Sequence, residues 1–558
     1  MKKIILLLIA LSIVSASWAQ KKTIGLRKAD LTKASNGYTL LYPSDQSTVY
    51  LLNNCGQIVH SWTDGADFRP GNSVFLLENG VLLKTKRASS VAGDPINGPG
   101  AGGTVEKRDW DNNLLWTFTL NDSFSRLHHD ICPMPNGNVL MISWDKKTKA
   151  ELISQGRNPS TWTSSVIWPE KIIEVKPVGK DGYTIVWEWR EWDHLVQEFD
   201  STKPNYGKLI DHPERVDINF GSTGAQSGSA WTFFNSIDYN ENLDQIVLST
   251  RFFNEIWIID HSTTTQQAAG KTGGKSNKGG DLLFRWGNPK VYNAGVTADQ
   301  KLYSQHTARW MTDNPADSNF GKIILFNNLA GPNYSTIDIV KPVFDKTTSS
   351  YVKDGKTFLP KTMDWTYKRS DNTEMYSTGF GSAQRLPNGN TLICSGRQGN
   401  TFEITPKNEI VWEYIVPLNF GVRATQGDSI PVPNNSVFRA ERFAPNYPAF
   451  TGKNLSPKGY IELNPDTSFC SLPVGISKIK KSETIKIYPN PAHTTLNIET
   501  KSGLIHSVAL MSITGQTIME IKNANSGFAS LDISEIPAGI YFLSLNNNTF
   551  TQKLEIKH

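Results

Sequence analysis

The chain has 558 residues, too many for one simple core, and its 38% hydrophobic and 20% charged residues are those of an ordinary folded protein. Its formal charge of +5, less Lys2 and Lys3, leaves +3, and no block of lysine and arginine concentrates it, which argues against a nucleic-acid binder. Four cysteines (Cys55, Cys132, Cys394, Cys470) occur without any C-x-x-C, which argues against a zinc or thioredoxin-type site.

Met1 to Ala19 reads as a secretory signal peptide. Lys2-Lys3 precede an apolar run from Ile4 to Val14, and Ser17-Trp18-Ala19 offer small residues for cleavage. That run is too short to span a bilayer, and no other segment is long and apolar enough to be membrane-spanning. Export permits disulfides, and four cysteines allow three full pairings, among which sequence does not choose.

From about Gly37 to Leu463 the pattern is short β runs cut by Asn-Gly, Asp-Gly and Pro-Asn-Gly turns, as in Asn136 to Ile142 and Asn388 to Cys394. Several tryptophans lie in such runs, including Ile185 to Trp189. Within this region one frame recurs: a polar side chain seven residues before a turn-forming Asn or Asp. It occurs at Asn72 to Gly80, His129 to Gly137, Asn235 to Asn242 and His306 to Asp313, and in outline at Gly381 to Gly389. The starts are separated by 57, 106, 71 and 75 residues, and the gap of 106 has room for one extra unit, making six. Repeats of this size predict a β-propeller over residues 20–470. Such a repeat brings the same point of successive blades to one place, so His129, Asn235 and His306 are expected to converge. Arg251, just past the strand Gln245 to Thr250, can reach the same mouth. Neutral imidazole is a nucleophile, arginine offers a planar donor fork to oxyanions, and asparagine adds a neutral donor. Such a set suits gripping and moving an anionic group such as sulfuryl or phosphoryl. His128 is assigned to the opposite face from His129, because strand neighbours alternate.

Other motifs fail. Gly270 to Ser276 lacks the first glycine of a phosphate loop, which falls on Ala269, and no Gly-x-Ser-x-Gly elbow occurs. After Cys470, residues 471–484 form a linker containing the basic stretch Lys478 to Lys481. Residues 485–558 then predict a small β-sandwich.

Two resemblances sharpen this. Tyr488-Pro-Asn-Pro491 and Pro537 to Phe542 resemble the type A C-terminal sorting domain of the type IX secretion system. That implies the type IX machinery as partner and a secreted or cell-surface location. His128 to Asn138, Phe234 to Asn240, Leu248 to Arg251, Gly280 to Asn288 and Gln305-His306 resemble the bacterial arylsulfate sulfotransferases that work without PAPS. The resemblance implies a six-bladed propeller with no cofactor and no metal. It also implies a ping-pong transfer of sulfuryl from an aryl sulfate donor to a phenolic acceptor. His306 is then the nucleophile, with His129, Asn235 and Arg251 holding the sulfuryl oxygens and Thr401 adding a hydroxyl. One departure stands out: the family usually has Trp-Thr-His-x-Asn-Ser, whereas this chain reads Trp231-Thr-Phe-Phe-Asn-Ser236, so Phe233 replaces a site histidine. The preceding Gly221 to Ser229 reads as an inserted loop. Three readings therefore stay open: transferase, non-catalytic binding propeller, and aryl sulfate hydrolase.

Overall fold

A computed structural model describes residues 23–88, 96–221, 229–470, 485–500, 504–512, 517–546 and 550–558. The signal peptide, the linker and most of the proposed loop at 221–229 lie outside them. The chain divides into two compact units, residues 1–470 and 471–558.

In the first unit, every one of the five sequence frames falls on the leading strand of an antiparallel sheet and the hairpin that follows it. These strands are β1 (Phe68–Leu76), β2 (Ser125–Pro133), β3 (Phe234–Asn240), β4 (His306–Trp310) and β5 (Ser382–Arg385). The Asn-Gly pairs at 79–80, 136–137 and 388–389 turn the first, second and fifth back on themselves, each glycine taking a positive φ. Each leading strand is followed by three more strands in simple meander order; the β5 sheet gains Gly25–Ala29 as a fifth. A sixth large sheet is led by β6 (Val437–Phe443), which pairs antiparallel with Tyr38–Pro43, followed by Thr48–Asn53 and Ile58–Thr63.

This corrects the placing of the sixth unit. The long interval between His129 and Asn235 holds no additional four-stranded sheet among the described residues. It is taken up by excursions from the β2 sheet, including a helix at Lys149–Ser154 and short segments from Glu191 to Asp217. The sixth sheet instead joins residues from the two ends of the unit, where no frame could appear because its leading strand comes last in sequence.

Adjacent leading strands are neighbours in the order β1 to β6, and β6 neighbours β1. They are joined through side chains rather than a backbone ladder: Ser236 Oγ accepts from Ala308 N at 2.9 Å, and Gln384 Oε1 from Arg442 N at 2.7 Å. Arg439 of β6 reaches Asp130 of β2 at 2.9 Å. Such bonds satisfy backbone groups that would otherwise be buried without partners.

The tryptophans explain how successive sheets lock. The fourth strand of each sheet carries one. Trp62, Trp116, Trp189, Trp286 and Trp412 donate Nε1–H to backbone oxygens of Asp109, Gly182, Gly280, Pro360 and Asn54, each in a strand or inter-strand connection of the next sheet, at 2.6–3.2 Å. At the remaining junction Trp365 packs under the Arg385 guanidinium, 5.3 Å from the ring centre. A buried tryptophan contributes several kcal/mol, about 3–5 when truncated to alanine, provided its N–H finds a partner. Cys55 and Cys470 form a disulfide, whereas Cys132 and Cys394 are free and buried.

The second unit contains a three-stranded sheet (Ile485–Tyr488, Thr495–Thr500, Phe528–Asp532) and a four-stranded one (Thr517–Ser526, Ile505–Ser512, Gly539–Leu545, Phe550–Ile556). Alternating residues such as Leu496, Ile498, Val508, Leu510 and Leu543 enter one apolar cluster shared by both.

Candidate functional site

Five of the six leading strands carry a break in their regular backbone, in mid-strand at β1 and β2 and at the start of β3, β4 and β5. Asn72, His129, Phe233, Thr307 and Phe380, within two residues of the frame positions, all take positive φ (100°, 47°, 61°, 50° and 62°). For a bulky phenylalanine that is a strained backbone. The strand pairings slip at the same places, as at β2, where residues 128–130 face only residue 142. At β3 the slip lies between Phe234 and Ser236, and at β4 between His306 and Arg309. Bulges of this kind bend a strand end and re-aim its side chains.

His306 opens β4 and is 3% exposed. Its Nδ1 lies 2.7 Å from Asn328 Oδ1 and 3.1 Å from the Ser304 carbonyl. Both partners are acceptors, because Asn328 uses its own amide to donate to the Ser377 and Phe380 carbonyls at 2.9 and 2.7 Å. Nδ1 therefore carries the proton and Nε2 keeps its lone pair. Burial first, then the Arg251 guanidinium, hold the ring well below the ordinary imidazole range despite those two bonds, so it is neutral at pH 7.

Arg251 follows the second strand of the β3 sheet and is half-buried. Its Nη2 donates to the Thr378 carbonyl at 3.3 Å, and its Nε is buried with no partner among the described residues. Burial, then the neighbouring Arg397, push its pKa down to about 10. Arg397 lies across Gly379 from His306: a Cβ built at Gly379 would sit 3.5 Å from Arg397 Nε and 3.9 Å from His306 Cε1. Its guanidinium also covers the Phe380 ring at 4.5 Å. Two guanidiniums feel one another beside a neutral histidine, which is the electrostatics of an anion seat.

His129 packs against Gly100, where any Cβ would come within 2.1 Å of its ring. Its backbone N–H donates to the Gly100 carbonyl at 2.8 Å. Burial first, then His128 and Arg251, keep it neutral. Phe233 meets His129 edge-on, with ring centres 4.7 Å apart, stacks on Phe252, and lies 5.9 Å from the Arg251 guanidinium. Asn235 is fully buried; its Nδ2 donates to the Gln305 carbonyl at 2.7 Å, which fixes the residue before His306. Its Oδ1 has no partner among the described residues.

His129, Phe233, Arg251, Asn235 and His306 thus come together, although they are scattered over nearly 180 residues of sequence. Thr401 is not brought to them. It lies in the third strand of the β5 sheet, Asn400–Ile404, paired across to Cys394 and fully buried.

His128 corrects the alternation argument. The bulge at His129 turns both rings to one side, Nδ1 to Nδ1 at 2.9 Å, while His128 Nε2 meets Glu170 Oε2 at 2.8 Å. Asn328, Arg397, His128 and Glu170 were missed by sequence reasoning. Only His128 carried a sequence signal, its place beside His129.

A sequence model described as Arylsulfotransferase (ASST) matches residues 113–418, more than half the chain. The chain belongs to the arylsulfotransferase family. A second model, the secretion system C-terminal sorting domain, matches residues 486–557. The arylsulfotransferase region is therefore exported by a type IX tail to a secreted or cell-surface location. No helix among the described residues is long and apolar enough to cross a membrane. No curated protein matches the chain.

Solved structures similar to it include a protein of unknown function from Bacteroides caccae (11% identity, 74% of this chain and 99% of that one, TM-score 0.38). Virginiamycin B lyase from Staphylococcus aureus is another (10%, 70% and 88%, TM-score 0.30), as is the periplasmic gluconolactonase of Pseudomonas aeruginosa (9%, 74% and 100%, TM-score 0.33). At such TM-scores these likenesses carry no argument.

Proposed function

We propose that residues 20–470 form a six-bladed propeller that moves sulfuryl from an aryl sulfate to a phenolic acceptor through a sulfohistidine at His306, without PAPS. Residues 485–558 are then a sorting sandwich joined by the linker 471–484. The observation that carries the reading is the protonation pattern of His306. Asn328 and Ser304 occupy Nδ1, so the lone pair of Nε2 is the one available for attack.

In the first half-reaction Nε2 attacks sulfur, the S–O bond to the aryl group breaks, and the phenol departs. In the second, the acceptor phenol oxygen attacks sulfur, the N–S bond breaks, and the free histidine returns. Arg251 and Arg397 offer donors to the sulfuryl oxygens as charge shifts among them, the kind of stabilisation that supplies much of an enzyme's acceleration. His129 stands at the bridging oxygen, and Asn235 holds the backbone beside His306. Phe380 and Phe252 offer faces for a phenol ring.

Phe233 favours a second reading, a propeller that binds aromatic anions without turnover, since phenylalanine neither donates nor carries a proton. The test uses the mature protein with a chromogenic aryl sulfate, with and without phenol and with no nucleotide. Colour only with acceptor, lost in His306→Ala, and one added sulfuryl mass on His306 before acceptor is supplied, support transfer. Colour without acceptor means hydrolysis. No colour from folded protein supports the binding reading.

A further inference from the structure

Resting on that reading, we infer that Glu170, His128 and His129 form a two-state proton wire that protonates the departing phenol and deprotonates the incoming one, in place of the histidine displaced by Phe233. The wire is continuous in hydrogen-bond distance: Glu170 Oε2 to His128 Nε2 is 2.8 Å, and His128 Nδ1 to His129 Nδ1 is 2.9 Å. Two nitrogens at that distance share one proton, so the tautomer of one ring dictates that of the other.

In the first state Glu170 is a carboxylic acid donating to His128 Nε2. His128 Nδ1–H donates to His129 Nδ1, and His129 Nε2 carries a proton. In the second, that proton has left, His128's Nδ1 proton has passed to His129, and Glu170's proton to His128 Nε2. Glu170 is then a carboxylate, so one proton delivered at the site leaves one negative charge at the far end. When the acceptor phenol yields its proton to His129 Nε2, the three shifts reverse. The two half-reactions need an acid and then a base, and the two states supply them in that order.

The surroundings fit a wire better than an ion pair. His128 and Glu170 are both fully enclosed. Burial raises the Glu170 carboxyl well above its usual range, and burial together with Arg126 lowers His128, so the resting pair is neutral acid and neutral imidazole. Trp144 stacks on His128 at 4.0 Å and Phe233 closes the flank of His129, which keeps water from short-circuiting the chain. The transient carboxylate is received by the Phe234 N–H at 3.1 Å. The other charged or titratable neighbours are Glu191, whose Oε2 accepts the Glu170 N–H at 2.9 Å and which burial also keeps neutral, and, facing His129, Arg251 and the neutral His306. The backbone of Thr232 to Phe234 is thus tied to the wire: Thr232 Oγ1 donates to Glu191, and Phe234 N to Glu170. The residue that replaced the family histidine is part of the wall of its substitute.

The experiment compares full-length mature protein with Glu170→Gln, which keeps volume and hydrogen bonding but has no transferable proton. Donors run from a nitrophenyl sulfate, whose phenolate leaves unaided, to an alkylphenyl sulfate, whose leaving oxygen needs a proton. The wire predicts a kcat loss of about 100-fold for the alkylphenyl donor and under about 10-fold for the nitrophenyl donor, with KM little changed. An equal loss for both donors, or no loss for either, overturns it. A second measurement needs neither variant nor turnover: ¹⁵N spectra of the histidine side chains in the resting wild type. A neutral His128 protonated at Nδ1 supports the wire; a doubly protonated imidazolium overturns it. Absence of sulfuryl transfer in the wild type would sink the transferase reading, and the spectra would still decide the wire.

Discussion

His306 and His129 face the same site, yet the structure treats their protons in opposite ways. His306 Nδ1 is held by two oxygens that only accept, one of them an amide fixed by two further bonds, so its proton has nowhere to go. His129 Nδ1 is held by another imidazole, which can give or take, and that imidazole by a carboxyl that can do the same. A nucleophile needs one constant lone pair through both half-reactions. An acid–base group needs the reverse, a proton that comes and goes. On the proposed reading, the group that holds Nδ1, more than the histidine itself, sets which part each plays.

The contrast can be broken in several places. His306→Ala should remove turnover by at least ~10³-fold and abolish the sulfuryl adduct, read by phenol release and intact mass. Arg251→Ala should cost about 10²–10³-fold in kcat, as loss of one preorganised donor does, and Arg397→Ala the same or less. If either raises KM alone, the guanidiniums only bind. Asn328→Ala sharpens the comparison most directly, since it leaves Nδ1 with the Ser304 carbonyl alone. We expect about a 10- to 100-fold fall in sulfation of His306, measured in a single turnover without acceptor. Phe233→His should gain less than about 10-fold, and chiefly with basic leaving phenols, because a wire already performs the task.

The smallest effect concerns a third histidine. His261 Nδ1 meets Asp244 at 2.9 Å and its Nε2 meets Glu174 at 3.0 Å. Burial opposes its charge, but the two carboxylates win and raise its pKa to about 9. A value raised on folding contributes stability that is complete below the unfolded value of ~6.5 and is lost as pH rises through about 9. Denaturation midpoints of wild type should fall across that window, and those of His261→Gln should fall less.

Much of this was legible in the residues. The frames marked the leading strands and their hairpins because Asn-Gly turns and alternating strands are local chemistry. Their common register places His129, Asn235 and His306 at equivalent points of three leading strands. What escaped was set by other causes. His128 was assigned to the far face by the period of a regular strand, and the positive φ of His129 abolishes that period. Asn328, Arg397 and Glu170 come from second and third strands and from a turn, where no frame repeats. The sixth sheet draws its strands from opposite ends of the unit, which no count of intervals could reveal.

That last feature also has a consequence in time. The strand Gly25–Ala29 finds its partner in Ile410–Ile415, Tyr38–Pro43 pairs along one edge with Thr48–Asn53 but along the other only with Val437–Phe443, and Cys55 is bonded to Cys470. A chain threaded out of the cytoplasm from its N-terminus therefore carries its first strands with one edge open until nearly the whole unit has followed. The early residues wait for the late ones, and the circuit of neighbouring leading strands is complete only when β6 arrives. A product cut short after Thr401 but before Val437 would leave this clasp undone, with every site residue named here already made.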